Sequence, residues 1–327
     1  MDAAEQEAAR LQTYFQTDPR FDFTGLIGTG SSGFACHVKY DDPNDQSFNN
    51  FIVKRAFDNE FAREDLRKEQ EHLRKLRGAR HIVQLVDVPD NPLHRPGNEQ
   101  LPAITGDWLI LEWVPNGTIG GFILRAANSG IPRLPNRLLW RFFLCLIRAC
   151  IAMAWPENIN NGAAANETVP QGALEDGGLA HGDLHMENVM VGDALDEDEH
   201  RITPLLKFID FGQVAQFSYG PELASAVQSN IYDIGLVMLG LITFNRYTFM
   251  GDAEDGWFRM SDNSPLIETR AGSILPLTGP DDNYPYLDPQ LRKLVCACLA
   301  KNHHDRPGLI SLSNDVSLAV PTRTCQI

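Results

Sequence analysis

The chain has 327 residues, 43% of them hydrophobic and 22% charged. This balance excludes a disordered chain, and the length suffices for two substantial lobes with a buried core. The formal net charge of −15 repels phosphate backbones, so nucleic acid is set aside as a partner.

In chain order, residues 2–16 are rich in Ala, Glu and Gln and read as a helix ending before Asp18-Pro19. "FDFTGLIGTGSSGFACHVKY" reads as two strands around a glycine turn, 41–50 as a polar hairpin loop, and "FIVKRAF" as a third strand. Glu64 to Leu76 carries Leu66, Leu73 and Leu76 among charges, an amphipathic helical pattern. "HIVQLVDV" and "DWLILEWV" read as strands flanking the Pro-rich loop 89–105. Helix then dominates. Residues 135–155 form a long apolar helix, 156–178 a loop by composition, and 192–200 an acidic, solvated hairpin tip. The order is a strand-rich first third and a helical remainder, joined near 112–117, which fits an α+β chain of two lobes.

The apolar run from Ile231 spans 14 residues and includes an acid, so it reads as a buried helix and not a membrane span. Cys36, Cys145, Cys150, Cys296, Cys298 and Cys325 show no Cys-x-x-Cys spacing, and the N-terminus carries no apolar signal. Reduced thiols in a cytoplasmic or nuclear protein are expected, with no membrane partner.

Four stretches carry chemistry. Gly28, Gly30 and Gly33 make G-x-G-x-x-G, which dinucleotide folds also use. Here they lead into a strand and not a helix, which favours a glycine flap whose bare amides close over phosphates; a plain hairpin turn is the alternative. Lys54 sits in an apolar strand. Glu69, on the packed face of the next helix, is its expected ion-pair partner in preference to Glu71, though a strand lysine can simply snorkel. Asp210 ends an apolar strand before Phe211-Gly212, where a carboxylate wants a cation or a turn. "HGDLHMENVMV", 181–191, packs His181, Asp183, His185, Glu187 and Asn188 together. It suits a catalytic loop with a base and a metal-binding amide, a His-based metal cluster, or a polar turn entering a strand.

These motifs in this order resemble the eukaryotic-type protein kinase domain across roughly residues 20 to 320. "GTGSSG" resembles the glycine-rich loop, "FIVK" the strand lysine, "HGDLHMEN" the His-Arg-Asp loop, and "DFG" is intact; "YDIGLVMLGLI" and "LAKNHHDRP" resemble large-lobe elements. The resemblance implies a bilobal fold: a helical extension at 1–19, an N-lobe at 20–111, a hinge at 112–117, a mainly helical C-lobe at 118–320 and a tail at 321–327. It implies a protein kinase using ATP and Mg2+, of Ser/Thr rather than Tyr specificity since the loop lacks tyrosine-kinase marks, with a protein substrate of unknown identity. Asp183 is then the base, Lys54 and Glu69 orient phosphates, and Asn188 and Asp210 hold magnesium. Ile27, Gly28, Gly30, Gly33 and Ala35 cover the nucleotide, Ile52 and Met190 enclose adenine, and the backbone of Glu112 to Val114 bonds it with Leu111 behind. His185 stands where a Lys or Arg-type residue is usual, so it either contacts the transferred phosphate or only bonds the loop backbone.

The chain departs from the family pattern at several places. Gly182 replaces the Arg that would receive an activation-loop phosphate, and only residues 213 to 221 separate Gly212 from Glu222, the expected partner of Arg306. Asn230 stands where the large-lobe helix often begins with Asp, and His181 is expected to brace the loop. A small-molecule phosphotransferase of the aminoglycoside or choline type, and a catalytically silent nucleotide-binding scaffold, are the alternatives.

Overall fold

The computed structural model describes residues 3–42, 49–88, 93, 107–159, 164–175, 177–197, 199–216, 224–248, 253–276, 279 and 281–322. The chain is mixed α+β, with a four-stranded antiparallel sheet and seven α-helices among the described residues. It divides into two compact units: 1–77, 83–113 and 210–213 in the first, and 78–82, 114–209 and 214–327 in the second.

The first unit contains α1 (Ala3–Phe15), β1 (Phe21–Thr29), β2 (Gly33–Tyr40), β3 (Asn50–Ala56), α2 (Glu60–Lys75) and β4 (Trp108–Glu112), with sheet order β1-β2-β3-β4. The β1–β2 turn closes through Gly30 N–H to the Gly33 carbonyl at 2.8 Å. A Cβ on Gly33 would stand 2.1 Å from the Arg55 carbonyl of β3, so this glycine is demanded by strand packing. Ala4, Ala8, Leu11 and Phe15 line one face of α1 and bury themselves with Phe21, Tyr40 and Phe51. The 1–19 extension therefore shares the core of this unit. Each such fully buried large apolar side chain contributes about 1.5–3 kcal/mol. Helix α2 starts where the Asn59 side chain accepts the Ala62 N–H, and it turns Asp65, Leu66, Glu69 and Leu73 inward.

The second unit contains α3 (Ile119–Asn128), α4 (Asn136–Ala154), β5 (Leu179–Ala180), β6 (Val189–Val191), β7 (Leu206–Phe208), β8 (Ala215–Gln216), α5 (Ala226–Thr243), β9 (Gly256–Phe258), β10 (Ile267–Thr269), α6 (Pro289–Cys298) and α7 (Leu309–Thr322). The strands pair as β5-β8, β6-β7 and β9-β10. Helix α4 packs against α5 and α7. Helix α5 begins with a Ser225/Gln228 capping box, five residues before the apolar run that marks it in the sequence. At 18 residues it is long and apolar enough to cross a bilayer, but 67% of it is buried inside the protein, as a core helix requires.

Two expectations are corrected. The segment 81–88 is no strand, because its partners differ along its length. Ile82 bridges Phe208 in the second unit, whereas Leu85 bridges Leu111 in the first. The segment 156–178 is a loop where it is described, as expected, apart from the short turn Pro156–Asn158, and it is anchored: Glu167 is buried, and the Glu175 carboxylate accepts the Leu309 and Ile310 N–H groups at the start of α7. The acidic hairpin tip 192–200 is not merely solvated, since Glu199 binds Arg148 at 2.6 Å and His200 is buried. The insertions 41–50 and 89–105 lie mostly outside the described residues.

Candidate active site

In the first unit, β3 delivers Lys54 and α2 delivers Glu69. Lys54 Nζ stands 2.7 Å from Glu69 Oε2 and 2.9 Å from Asp210 Oδ1. Glu71, the other carboxylate considered, faces Lys75 at 2.8 Å instead. Burial disfavours the ammonium, but Glu69 and Asp210 outweigh it and hold Lys54 protonated above its ordinary value. Burial likewise pushes the Glu69 carboxyl up, against the pull of Lys54. Glu69 is fully enclosed while the Asp210 side chain is 47% exposed, so the trio opens to solvent through Asp210. The backbone of Asp210 has φ 66°, a left-handed conformation that few non-glycine residues adopt.

The residues after Asp210 are fastened to α2. His72 Nδ1 lies 3.3 Å from the Phe211 carbonyl, Phe211 is fully buried, and Gln213 reaches Asp65 at 3.4 Å. Asp65 also accepts the Ser32 hydroxyl of the glycine turn at 2.8 Å. Sequence reasoning passed over Asp65 and His72. The available signal was Asp65 four residues before Glu69, two acids on an otherwise apolar face.

The cover residues lie on β1 and β2. Ile27 is 51% exposed. A Cβ on Gly28 would meet nothing within 4 Å, and one on Gly30 only the Gly33 carbonyl at 3.9 Å. Protein packing therefore accounts for Gly33 but not for Gly28 or Gly30. Ala35 pairs with both Gly28 and Lys54, and Ile52 with His37 and Leu111. The N–H of Glu112 is engaged by the Gln84 carbonyl at 3.0 Å, and its side chain accepts the Gln84 N–H, so that N–H is already spent within the unit. Trp113 stacks on His37, with centroids 4.0 Å apart.

In the second unit, Asn188 Nδ2 donates to the Asp183 carbonyl at 2.8 Å and approaches its carboxylate at 3.4 Å. This leaves the amide oxygen as the acceptor end of Asn188. The Asp183 side chain is 51% exposed. His181 is buried: its Nε2 meets the Ile209 carbonyl at 3.0 Å, and its N–H donates to Asn230, which in turn donates to the Leu179 carbonyl. His185 Nδ1 accepts the Glu187 N–H at 3.2 Å and caps the short turn 186–188. An accepting Nδ1 leaves the ring proton on Nε2, 3.7 Å from Asp183 Oδ1. The ring thus braces the loop through the Glu187 N–H and the Asn188 amide, and among the described residues His181 and His185 belong to no group of three or more side chains placed to share a metal ion. Gly182 has φ 81°, a left-handed conformation that favours glycine. Val114 is buried, and Met190 in β6 pairs with Lys207. Arg306 bonds the Ala300 and Gln228 carbonyls at 3.0 Å and lies over Tyr232; Glu222 falls outside the described residues.

Taken unit by unit, Asp210 offers a half-exposed carboxylate in the first and Asn188 an amide oxygen in the second, each a ligand type that magnesium takes. No protein-family model matches the chain, and no curated protein is significantly similar to it.

Proposed function

We propose that the chain is a protein-kinase-like phosphotransferase with a bilobal fold, moving the γ-phosphate of Mg-ATP to a Ser or Thr hydroxyl of a protein. The observation that carries this reading is the Lys54–Glu69–Asp210 trio, assembled from residues up to 156 positions apart. Two units, one strand-rich and one helix-rich, also support it.

Lys54, fixed by a buried carboxylate, is a positioned ammonium for phosphate oxygens. Asp210 and Asn188 would hold magnesium, which neutralises phosphate charge. Gly28 and Gly30 leave backbone bare where no protein atom needs the room. The acceptor oxygen bonds the γ-phosphorus as the bridging bond to the β-phosphate breaks, ADP leaves with that electron pair, and Asp183 takes the hydroxyl proton.

The test offers Mg-ATP with basic proteins, peptides and aminoglycosides as acceptors. Magnesium-dependent transfer to a protein hydroxyl is expected, together with a thermal shift on adding Mg-ATP. Transfer to aminoglycosides alone would replace the protein-substrate reading with a small-molecule one. No transfer and no nucleotide shift at millimolar ATP would overturn both.

A further inference from the structure

Away from these residues, the second unit buries a His-Cys-His group. His81 precedes the bridge to β7, Cys145 lies mid-way along α4, and His200 lies in the connection between β6 and β7. Their ligand atoms all lie within 4.8 Å of one another, and His81, Cys145 and His200 are 0%, 2% and 2% exposed. We propose that His81, Cys145 and His200 form a zinc site.

Three observations carry this. First, His81 Nε2 and both ring nitrogens of His200 are buried with no partner at hydrogen-bond geometry among the described residues. A buried polar atom without a partner costs free energy, and two imidazoles aimed at one thiol leave that cost standing unless something joins them. Second, the buried Glu167 carboxylate takes His81 Nδ1 at 2.6 Å and the His81 N–H at 2.8 Å. This fixes the ring proton on Nδ1 and directs the Nε2 lone pair at the cluster, the carboxylate–histidine arrangement that supports metal-bound imidazoles. Third, the charges close: a Cys145 thiolate and the Glu167 carboxylate balance one divalent ion.

Two nitrogens and one thiolate suit a borderline-soft ion such as zinc, not magnesium or calcium. His81 Nε2, Cys145 Sγ and one nitrogen of His200 supply three positions, and a water can complete four. Burial assigns the site to structure: it ties the segment 78–82 and the 192–200 hairpin to α4. None of the sequence motifs contains it, and it does not depend on the phosphotransferase reading.

The full chain, purified after growth with zinc, is expected to carry about one zinc per chain by elemental analysis. His200→Gln and Cys145→Ser should each lose most of it, while Asp210→Asn keeps it, which separates this site from the carboxylates near Lys54. Cobalt(II) in the wild-type chain should show a near-ultraviolet thiolate-to-metal band. Chelation should lower Tm and added zinc restore it, a readout that stands even if Cys145→Ser does not fold. A wild-type chain that takes up no zinc, or that binds cobalt without the thiolate band, overturns the site. So does a folded His200→Gln that keeps its zinc.

Discussion

Two charged constellations invite comparison. Lys54, Glu69 and Asp210 in the first unit end in a carboxylate that is 47% exposed, whereas His81 and Glu167 in the second have side chains only 0% and 3% exposed. Both set a nitrogen base against a buried carboxylate. The first leaves one charge reachable from solvent, so it can meet a solute. The second is closed, so it can only join parts of the chain or hold a small ion. Accessibility, more than charge, separates a site for chemistry from a site for stability.

Substitution should divide the two cleanly. Lys54→Met should reduce transfer per folded molecule roughly 100- to 1,000-fold, the usual cost of one preorganised charge donor, over and above the fall in Tm from leaving the enclosed Glu69 without its ammonium; steady-state rates beside a melting curve check this, and full activity would break the distinction. In the closed group the effect should move to stability. Glu167→Ala leaves the buried Nδ1–H and backbone N–H of His81 without an acceptor and should cost about 1–3 kcal/mol by denaturant titration, with the rate per folded molecule preserved.

Asp233 on α5 sharpens the comparison, being an inward acid that senses Asp183. Burial first, opposed by Arg306 and reinforced by Asp183, raises its carboxyl from 3.8 to about 7. The folded state therefore holds its proton more tightly than the unfolded one. That stabilisation is complete below 3.8 and lost as pH rises to about 7. Asp233→Asn should thus raise Tm at pH 8 and converge on wild type near pH 4; a difference independent of pH would remove the electrostatic account. The smallest effect belongs to His185. Its Nδ1 caps a turn, so His185→Lys, which has no acceptor, should cost about 0.5–2 kcal/mol in denaturant titration, and His185→Asn should recover it. The pH–rate profiles of wild type and His185→Lys should superimpose; a flattened alkaline limb in the variant would return His185 to the phosphate.

What was legible in the sequence had short-range causes. The glycine turn between two strands shows as a period of two on either side, and Glu69 shows as an acid on the leucine face of a helix. Segment 81–88 misled because a short apolar run reveals that it pairs but not that its two ends pair in different units. Residues 192–200 misled because polar composition reports solvation only on average. Arg148 of α4 gives Glu199 an internal partner, and His81 does the same for Glu167. The His81–Cys145–His200 group was illegible for a related reason. Its members come from three separate segments, and no spacing rule links them. His181 and His185, adjacent and conspicuous, turn out to serve the backbone.

The central claim is tested most directly by comparing wild type with Asp183→Asn in Mg-ATP binding and in phosphate transfer. Transfer should fall about 100- to 10,000-fold, as loss of a general base entails, with the ATP dissociation constant nearly unchanged. Equal transfer by the two proteins, or loss of ATP binding as severe as in Asp210→Asn, would contradict the assignment of Asp183 as the base.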